Sequence, residues 1–348
     1  MKILKPYLRL VFKTLASMSL SIAVLLISYN VVSGENSLEH DNSGLIAHDC
    51  CSWFKWSDDS KSIITLDERD NLVGAWQLQL QTGGIRFIGA NPIVRSPLGT
   101  RTIEYLDSGR NIRINNAQEG PYYLWSVYNS LRFSADDTKI AYAVTYPSGG
   151  IRMFDMSTVY IANSDGSDRK SILRLIGRPL GWTADGKSLL IVGKESKTSS
   201  TQVWRYWPSS DRLDVLLSLS DLALIELSPR YNQLIYIRAP QSDPFFAGPW
   251  LYDMDTGAHT RLGFTGSFRW QPNGKGILFI PARESRNDEH QVYWLPFNTG
   301  KVNRLQLLNG ASKFKIDSFM WELSPDADTL AYVEQDSGDL RTVRLRWP

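Results

Sequence analysis

The side chains of this chain that could do chemistry are few and scattered. Its four histidines, His40, His48, His259 and His290, fall in no metal-ligand spacing. Its two cysteines, Cys50 and Cys51, are adjacent and can form only a ring between themselves. They read most simply as two small buried side chains at the start of a fold, and Cys50 stands too far past the apolar N-terminal run for lipid attachment. Two oxygen-rich stretches, NSDGSD at 163–168 and DMDTG at 253–257, lack the full loop and terminal Glu of a calcium site, so they read as tight hairpin turns. There is no G-x-S-x-G elbow, no H-E-x-x-H and no phosphate-binding glycine loop. The expectation is a chain with no metal, no cofactor and no enzymatic activity.

Binding chemistry is better represented. Three long segments gather aromatic and cationic side chains of the kind that dominate interfaces. Residues 145–158 carry Tyr146, Met153 and Phe154, residues 239–250 carry Phe245, Phe246 and Trp250, and residues 281–290 carry Arg283 and Arg286. Each has a plainer reading. Phe245 and Phe246 could cap a local core under a long loop, and Arg283 and Arg286 share their loop with Glu284, Asp288 and Glu289 as a solvated charge cluster.

What must position these segments is a repeat. Seven stretches follow one template: an aromatic or apolar residue, Ser or Thr, a Pro/Asp/Gly-type turn, then an alternating apolar strand. They begin at Lys55, Val94, Arg132, Gly181, Glu226, Arg269 and Glu322, at a period near 44 residues, that of a four-stranded propeller blade. In the turn, Pro presets φ, Asp bonds back to the backbone and Gly tolerates the left-handed conformation. The second copy lacks the aromatic and the Asp, and its apolar strand starts one residue late. A second hairpin follows each copy, as in WQLQLQTGGIRFIG (76–89) and WLYDMDTGAHTRLGF (250–264), giving four strands per repeat. The last repeat has room for only three strands, and GLIAHDC (44–50) could supply the fourth, closing the ring. The expected fold is an all-β propeller of seven blades, with six or eight as alternatives.

These residues resemble the WD40-like propeller repeats of the TolB-like family, whose turn-then-hairpin pattern appears here as WTADGKSLLI and WLYDMDTGAHTRL. The resemblance runs from residue 53 to 347. It implies a propeller, in a family that holds periplasmic interaction scaffolds, propeller domains of serine peptidases and a few sugar-acid lyases. It carries over no functional residue, because the matching positions are the turns that build the blade. On such a blade the repeated turns lie on one face and the loops between second and third strands lie on the other, around the channel mouth, where function gathers.

The first 35 residues are of another kind. Lys2, Lys5, Arg9 and Lys13 precede an uncharged run from Thr14 to Gly34, the pattern of a signal peptide or a single membrane anchor. The expected layout is therefore leader 1–35, linker and closing strand 36–49, and propeller 50–348, outside the cytoplasm, with membrane contact only through the leader. A net charge of +2 with both signs mixed argues against a nucleic-acid partner. The leading expectation is a monomeric, non-catalytic scaffold that binds another protein or an envelope component through its loop face. The alternative is a small-substrate enzyme or carbohydrate-binding propeller, lyase- or lactonase-like, with its site at the channel mouth. The shortage of His and of catalytic motifs favours the first.

Overall fold

The computed structural model describes residues 44–51, 53–69, 72–89, 93–106, 111–115, 122–125, 130–145, 156–239, 247–282, 289–308 and 314–347. Residues 41–348 form one compact unit, and the described part of it is all β. Strand β1 (Leu45–Ala47) is followed by a sheet of β2 (Phe54–Trp56), β3 (Ser62–Arg69), β4 (Leu72–Gln79) and β5 (Ile85–Gly89). A second sheet comprises β6 (Ile93–Arg95), β7 (Thr102–Leu106), β8 (Asn111–Asn115) and β9 (Tyr122–Trp125). Next come β10 (Arg132–Phe133), β11 (Lys139–Thr145), β12 (Ser157–Asn163), β13 (Lys170–Trp182), β14 (Leu189–Lys194), β15 (Thr201–Trp207) and β16 (Arg212–Leu219) in one seven-stranded order. Then follow β17 (Leu222–Leu227), β18 (Gln233–Arg238), β19 (Gly248–Asp253) and β20 (His259–Arg261), and the sheet of β21 (Gly266–Trp270), β22 (Gly276–Pro281), β23 (Tyr293–Pro296) and β24 (Asn303–Arg304). The last sheet holds β25 (Gln306–Leu308), β26 (Ile316–Leu323), β27 (Thr329–Glu334) and β28 (Leu340–Arg346), with β1. All pairings are antiparallel between chain neighbours except at this last sheet, as a meander requires.

The seven-stranded order is two four-stranded units sharing β13. Its first half pairs with β12 and its second with β14. Gly177 and Gly193 make the junction possible. They face each other across β13 and β14, and a Cβ on Gly177 would stand 2.2 Å from the Val192 carbonyl oxygen. Only a bare Cα fits so close a backbone approach.

The repeated turn explains why first and second strands pair as they do. In all seven copies the residue at the aromatic position pairs with the residue seven places on: Trp56 with Ile63, Arg95 with Thr102, Phe133 with Ile140, Trp182 with Leu189, Leu227 with Leu234, Trp270 with Ile277 and Leu323 with Leu330. The second copy, offset in its apolar pattern, is thus in the same register as the rest. The turn hydroxyl is fully used. Ser57 Oγ donates to Asp59 Oδ1 at 2.7 Å and accepts from Ser62 N at 3.0 Å, and Thr183 repeats this with Asp185 and Ser188. The fourth residue of the turn is left-handed at Ser60, Gly99, Asp137, Gly186, Gly274 and Ala327, the conformation that closes a type I turn into a hairpin.

The second copy lacks its own Asp, and a neighbour replaces it. Asp137, in the left-handed position of the third copy, turns its buried carboxylate towards the second. Its Oδ2 accepts from Ser96 Oγ, from Leu98 N at 3.0 Å and from Thr100 Oγ1 at 2.9 Å.

Apolar faces fill the space between consecutive sheets. One cluster joins Leu190 and Val203 to Leu234, Tyr236, Tyr252 and Met254. Another joins Phe54, Trp56, Ile63 and Leu78 to Ala331, Val333 and Leu340, so the first sheet packs on the last. Each such side chain contributes about 1.5–3 kcal/mol on full burial. The free edge of β28 is covered twice. β1 pairs with it at Leu340 and Arg341, and β25 pairs with it from Arg344 to Arg346. Sequence reading offered one closing segment and ran residues 306–308 on as the second strand of a 292–308 hairpin, where the structure splits off β25 to pair with β28. The β1 end is stitched down by Cys50 N to Gly338 O at 2.9 Å and Asp49 N to Asp339 Oδ1 at 3.2 Å. Cys50 and Cys51 are joined to each other in a disulfide and pack, partly buried, on the cluster between first and last sheets, so the reading of two simple buried thiols is corrected.

Candidate functional site

The first strands of the sheets approach one another from sheet to sheet: β10 to β13, β13 to β17, β21 to β26 and β26 to β2. They are therefore innermost, around the axis. Indole bonds tie them together. Trp56 Nε1 donates to Glu322 O at 3.2 Å, Trp182 Nε1 to Arg132 O at 3.1 Å and Trp321 Nε1 to Ser267 Oγ at 2.8 Å. In each case the Trp reaches back to the preceding sheet, so the next residue along the strand faces the following one.

That alternate position carries charge. Immediately before the turn's aromatic stand Lys55, Val94, Arg132, Gly181, Glu226, Arg269 and Glu322. Arg269 Nε lies 3.3 Å from Glu322 Oε1, its guanidinium carbon lies 4.9 Å from the centre of the Trp321 ring, and its Nη1 donates to Phe268 O at 2.9 Å. Arg132 uses the same local geometry, with Nη1 donating to Leu131 O at 2.8 Å, and its Nε donates to Leu180 O on the next inner strand at 3.0 Å. Glu226 faces this array from β17. Burial pushes its carboxyl up to about 7; Arg269 pulls it back and the like charge of Glu322 pushes it further up. The group is thus poised to take or give a proton near neutral pH. On β13, Arg178 is partly buried, and burial lowers its pKa below the usual arginine value. A guanidinium in that setting favours an anionic ligand.

The sequence-predicted binding residues fare differently. Tyr146, Met153, Phe154, Phe245, Phe246, Arg283 and Arg286 lie outside the described residues. Trp250 is described: it sits in β19 opposite Tyr236 and Arg261, partly buried against the cluster between the fourth and fifth units. The two oxygen-rich stretches spend their carboxylates on their own turns and on the neighbouring amides Asn232 and Gln233. Asp253 Oδ1 accepts from Thr256 N at 2.9 Å, and Asp165 Oδ1 from Ser167 N at 2.9 Å. The inner charged row was missed, although its signal is plain once the repeats are stacked: one template position is charged in five of the seven copies quoted above.

No protein-family model and no curated protein matches this sequence. Solved structures do resemble it. An oligogalacturonate lyase in complex with manganese aligns over 90% of this chain and 96% of its own, with 12% identity and a TM-score of 0.62. The oligogalacturonate lyase of Vibrio parahaemolyticus aligns over 87% and 91%, with 10% identity and a TM-score of 0.59. The TolB of Acinetobacter baumannii aligns over 84% and 78%, with 16% identity and a TM-score of 0.42.

Among the described residues no three His, Cys, Asp or Glu side chains converge. His48 lies beside Asp339, His259 shares a hydrogen bond with the Tyr236 hydroxyl at 2.9 Å, and His290 Nδ1 accepts from Ile316 N at 2.9 Å. The expectation of a non-enzyme is corrected. Two enzymes share this fold over nearly the whole chain, so a propeller that lacks familiar motifs is no ground for excluding catalysis. In its strands, its turns and the likeness of its fold to these lyases, the chain is a β-propeller.

Proposed function

We propose that this protein binds and transforms a small acidic substrate, of the sugar-acid or acidic-oligosaccharide class, in its central channel. The observation that carries the reading is the single repeat position that brings Lys55, Arg132, Glu226, Arg269 and Glu322 onto the inner strands. Cations there offset a substrate carboxylate. A carbon next to a neutralised carboxylate holds its proton less firmly, and Glu226, near pKa 7, suits its removal. The charge then developing on the substrate is met by Arg269, held by Glu322 and Trp321; its electron pair forms the C=C bond as the glycosidic C–O bond on the adjacent carbon breaks, and the leaving oxygen takes a proton from water. The likeness to two oligogalacturonate lyases supports this chemistry over a purely structural role.

The leader at 1–35 supports an extracytoplasmic setting, where acidic polysaccharide fragments are met. Among the described residues no helix is long and apolar enough to cross a membrane, and the leader lies outside them. Tyr146, Met153, Phe154, Phe245, Phe246, Arg283 and Arg286 are then candidates for walls of the channel mouth.

The test is incubation with oligogalacturonate and other uronate oligomers, followed by ultraviolet absorbance of the unsaturated product. Wild type should turn over at least one, and Glu226→Gln should lose at least ~100-fold in kcat while still binding. Failure of every acidic saccharide to bind by calorimetry would sink the reading.

A further inference from the structure

A second feature lies on the turn face, between the third and fourth units. There Trp182 and Trp207 line a cleft of about 320 Å³ together with Lys139, Lys187, Arg205 and Asp185. These residues come from three separate places: the start of β11, the end of β13 and its turn, and the strand β15. Trp182 and Asp185 are template residues of the fourth copy, whereas Arg205 and Trp207 lie outside the template, on β15.

The charges do not balance. Asp185 is the one carboxylate among the lining residues, and it already accepts from Thr183 Oγ1 at 2.7 Å and Lys187 N at 3.1 Å. Against it stand three cations. Lys139 Nζ donates to the neutral Asn163 Oδ1 at 2.7 Å, and Arg205 Nε to the neutral Ser188 Oγ at 2.8 Å. Lys187 is exposed. No ion pair joins these three to a carboxylate among the described residues. Arg205 is held in place besides: its guanidinium carbon stands 4.9 Å from the centre of the Trp207 ring, which also carries Arg212 at 3.9 Å. A guanidinium fixed by a serine and an indole, with further N–H groups to offer, is a preorganised carboxylate receptor.

Size and walls narrow the ligand. The volume falls in the range of small-molecule sites and exceeds what an inorganic ion fills. Indole walls suit the C–H face of a ring. Asp185 can accept from hydroxyls. The cleft also adjoins the inner strands, because Trp182 in its wall donates to the carbonyl of Arg132.

We propose that this cleft is a second binding site for an acidic saccharide, which takes one uronate unit on Arg205, Lys187 and Lys139 and so anchors a chain whose reacting end enters the channel. The proposal rests on the acidic-saccharide reading of the channel for its ligand, but its residues are separate.

The experiment is calorimetric titration of the full chain with trigalacturonate, maltotriose and a glutamate decapeptide. Trigalacturonate should bind, with both controls at least ~10-fold weaker. Lys187→Glu, an exposed change, should weaken trigalacturonate at least ~10-fold, and Lys187→Glu with Arg205→Gln should weaken it further. Lys301→Glu, an exposed change on another sheet, should leave this affinity within ~2-fold. Equal binding by the double variant, by maltotriose or by the peptide would overturn the cleft. If Glu226→Gln with Arg269→Gln abolishes binding while the double cleft variant binds as wild type, the cleft falls and the channel reading stands. If the cleft variants lose affinity and no uronate is turned over, the cleft stands and the channel reading falls.

Discussion

The hydroxyl that opens each turn and the residue two places before it have opposite histories around the ring. The first is Ser or Thr in six copies of seven, with Gln271 the exception. The second runs Lys, Val, Arg, Gly, Glu, Arg, Glu. Both occupy the same backbone frame, since the register is identical in all seven copies. The difference separates construction from chemistry. A position whose side chain bonds the local backbone varies little, and at Gln271 the turn is kept through its backbone bonds. A position that points between inner strands is free to vary, and a fixed frame turns that variation into an asymmetric field. Four consecutive units, from β17 round to β2, alternate in sign through Glu226, Arg269, Glu322 and Lys55. The other side offers Arg132 between the neutral Val94 and Gly181.

Experiments that strike the frame should cost more than those that strike the row. The largest effect is expected from deleting residues 44–49, which uncovers part of the β28 edge and removes Ala47 from its cluster. Stability should fall by roughly 4–6 kcal/mol, read as the urea midpoint; an unchanged midpoint would show that β25 alone suffices. Next is Asp137→Gly, which keeps the left-handed turn and removes only the carboxylate. With Ser96, Leu98 and Thr100 losing their acceptor, the loss should be about 2–3 kcal/mol. A neutral result would mean that the second copy needs no help.

Glu226 gives a smaller effect with a defined sign. Its folded pKa of about 7 lies above the ordinary 4.5. The folded state therefore holds the proton more tightly, and stability is full below pH 4.5 and lost as pH rises through 7. Allowing for partial exposure, the loss is about 2 kcal/mol. The Tm of wild type should fall relative to Glu226→Gln between pH 5 and 8; parallel curves would remove Glu226 from the site. The smallest change is a gain. Ala327 holds a φ of 66°, so Ala327→Gly should stabilise by about 1 kcal/mol in thermal melts, provided turn geometry rather than side-chain identity sets the frame.

Local chemistry made the frame legible in the sequence. Ser57 to Ser62 contains every atom its turn needs, and the same six-residue pattern could be recognised seven times. A missing outer strand could be counted, and β1 lies in the segment offered for it. What stayed hidden depends on distant neighbours. The β25 strand has only three residues and no pattern of its own. The loan of Asp137 to the second copy joins residues 41 apart. The inner row needs the ring itself to bring Glu226, Arg269 and Glu322 together, although all three stand one residue before an anchor already marked. Attention fell instead on long aromatic loops, because composition advertises them and a lone charge in a strand does not.

The pairing of β1 with β28 also sets a timetable. Asp49 and its acceptor Asp339 are 290 residues apart in the chain. At about 5–20 residues per second of synthesis, the earliest strand waits roughly 15–60 s for its partner to exist. Until then the growing polypeptide has an unfinished seam, so the last sheet cannot be assembled in the order in which it is made.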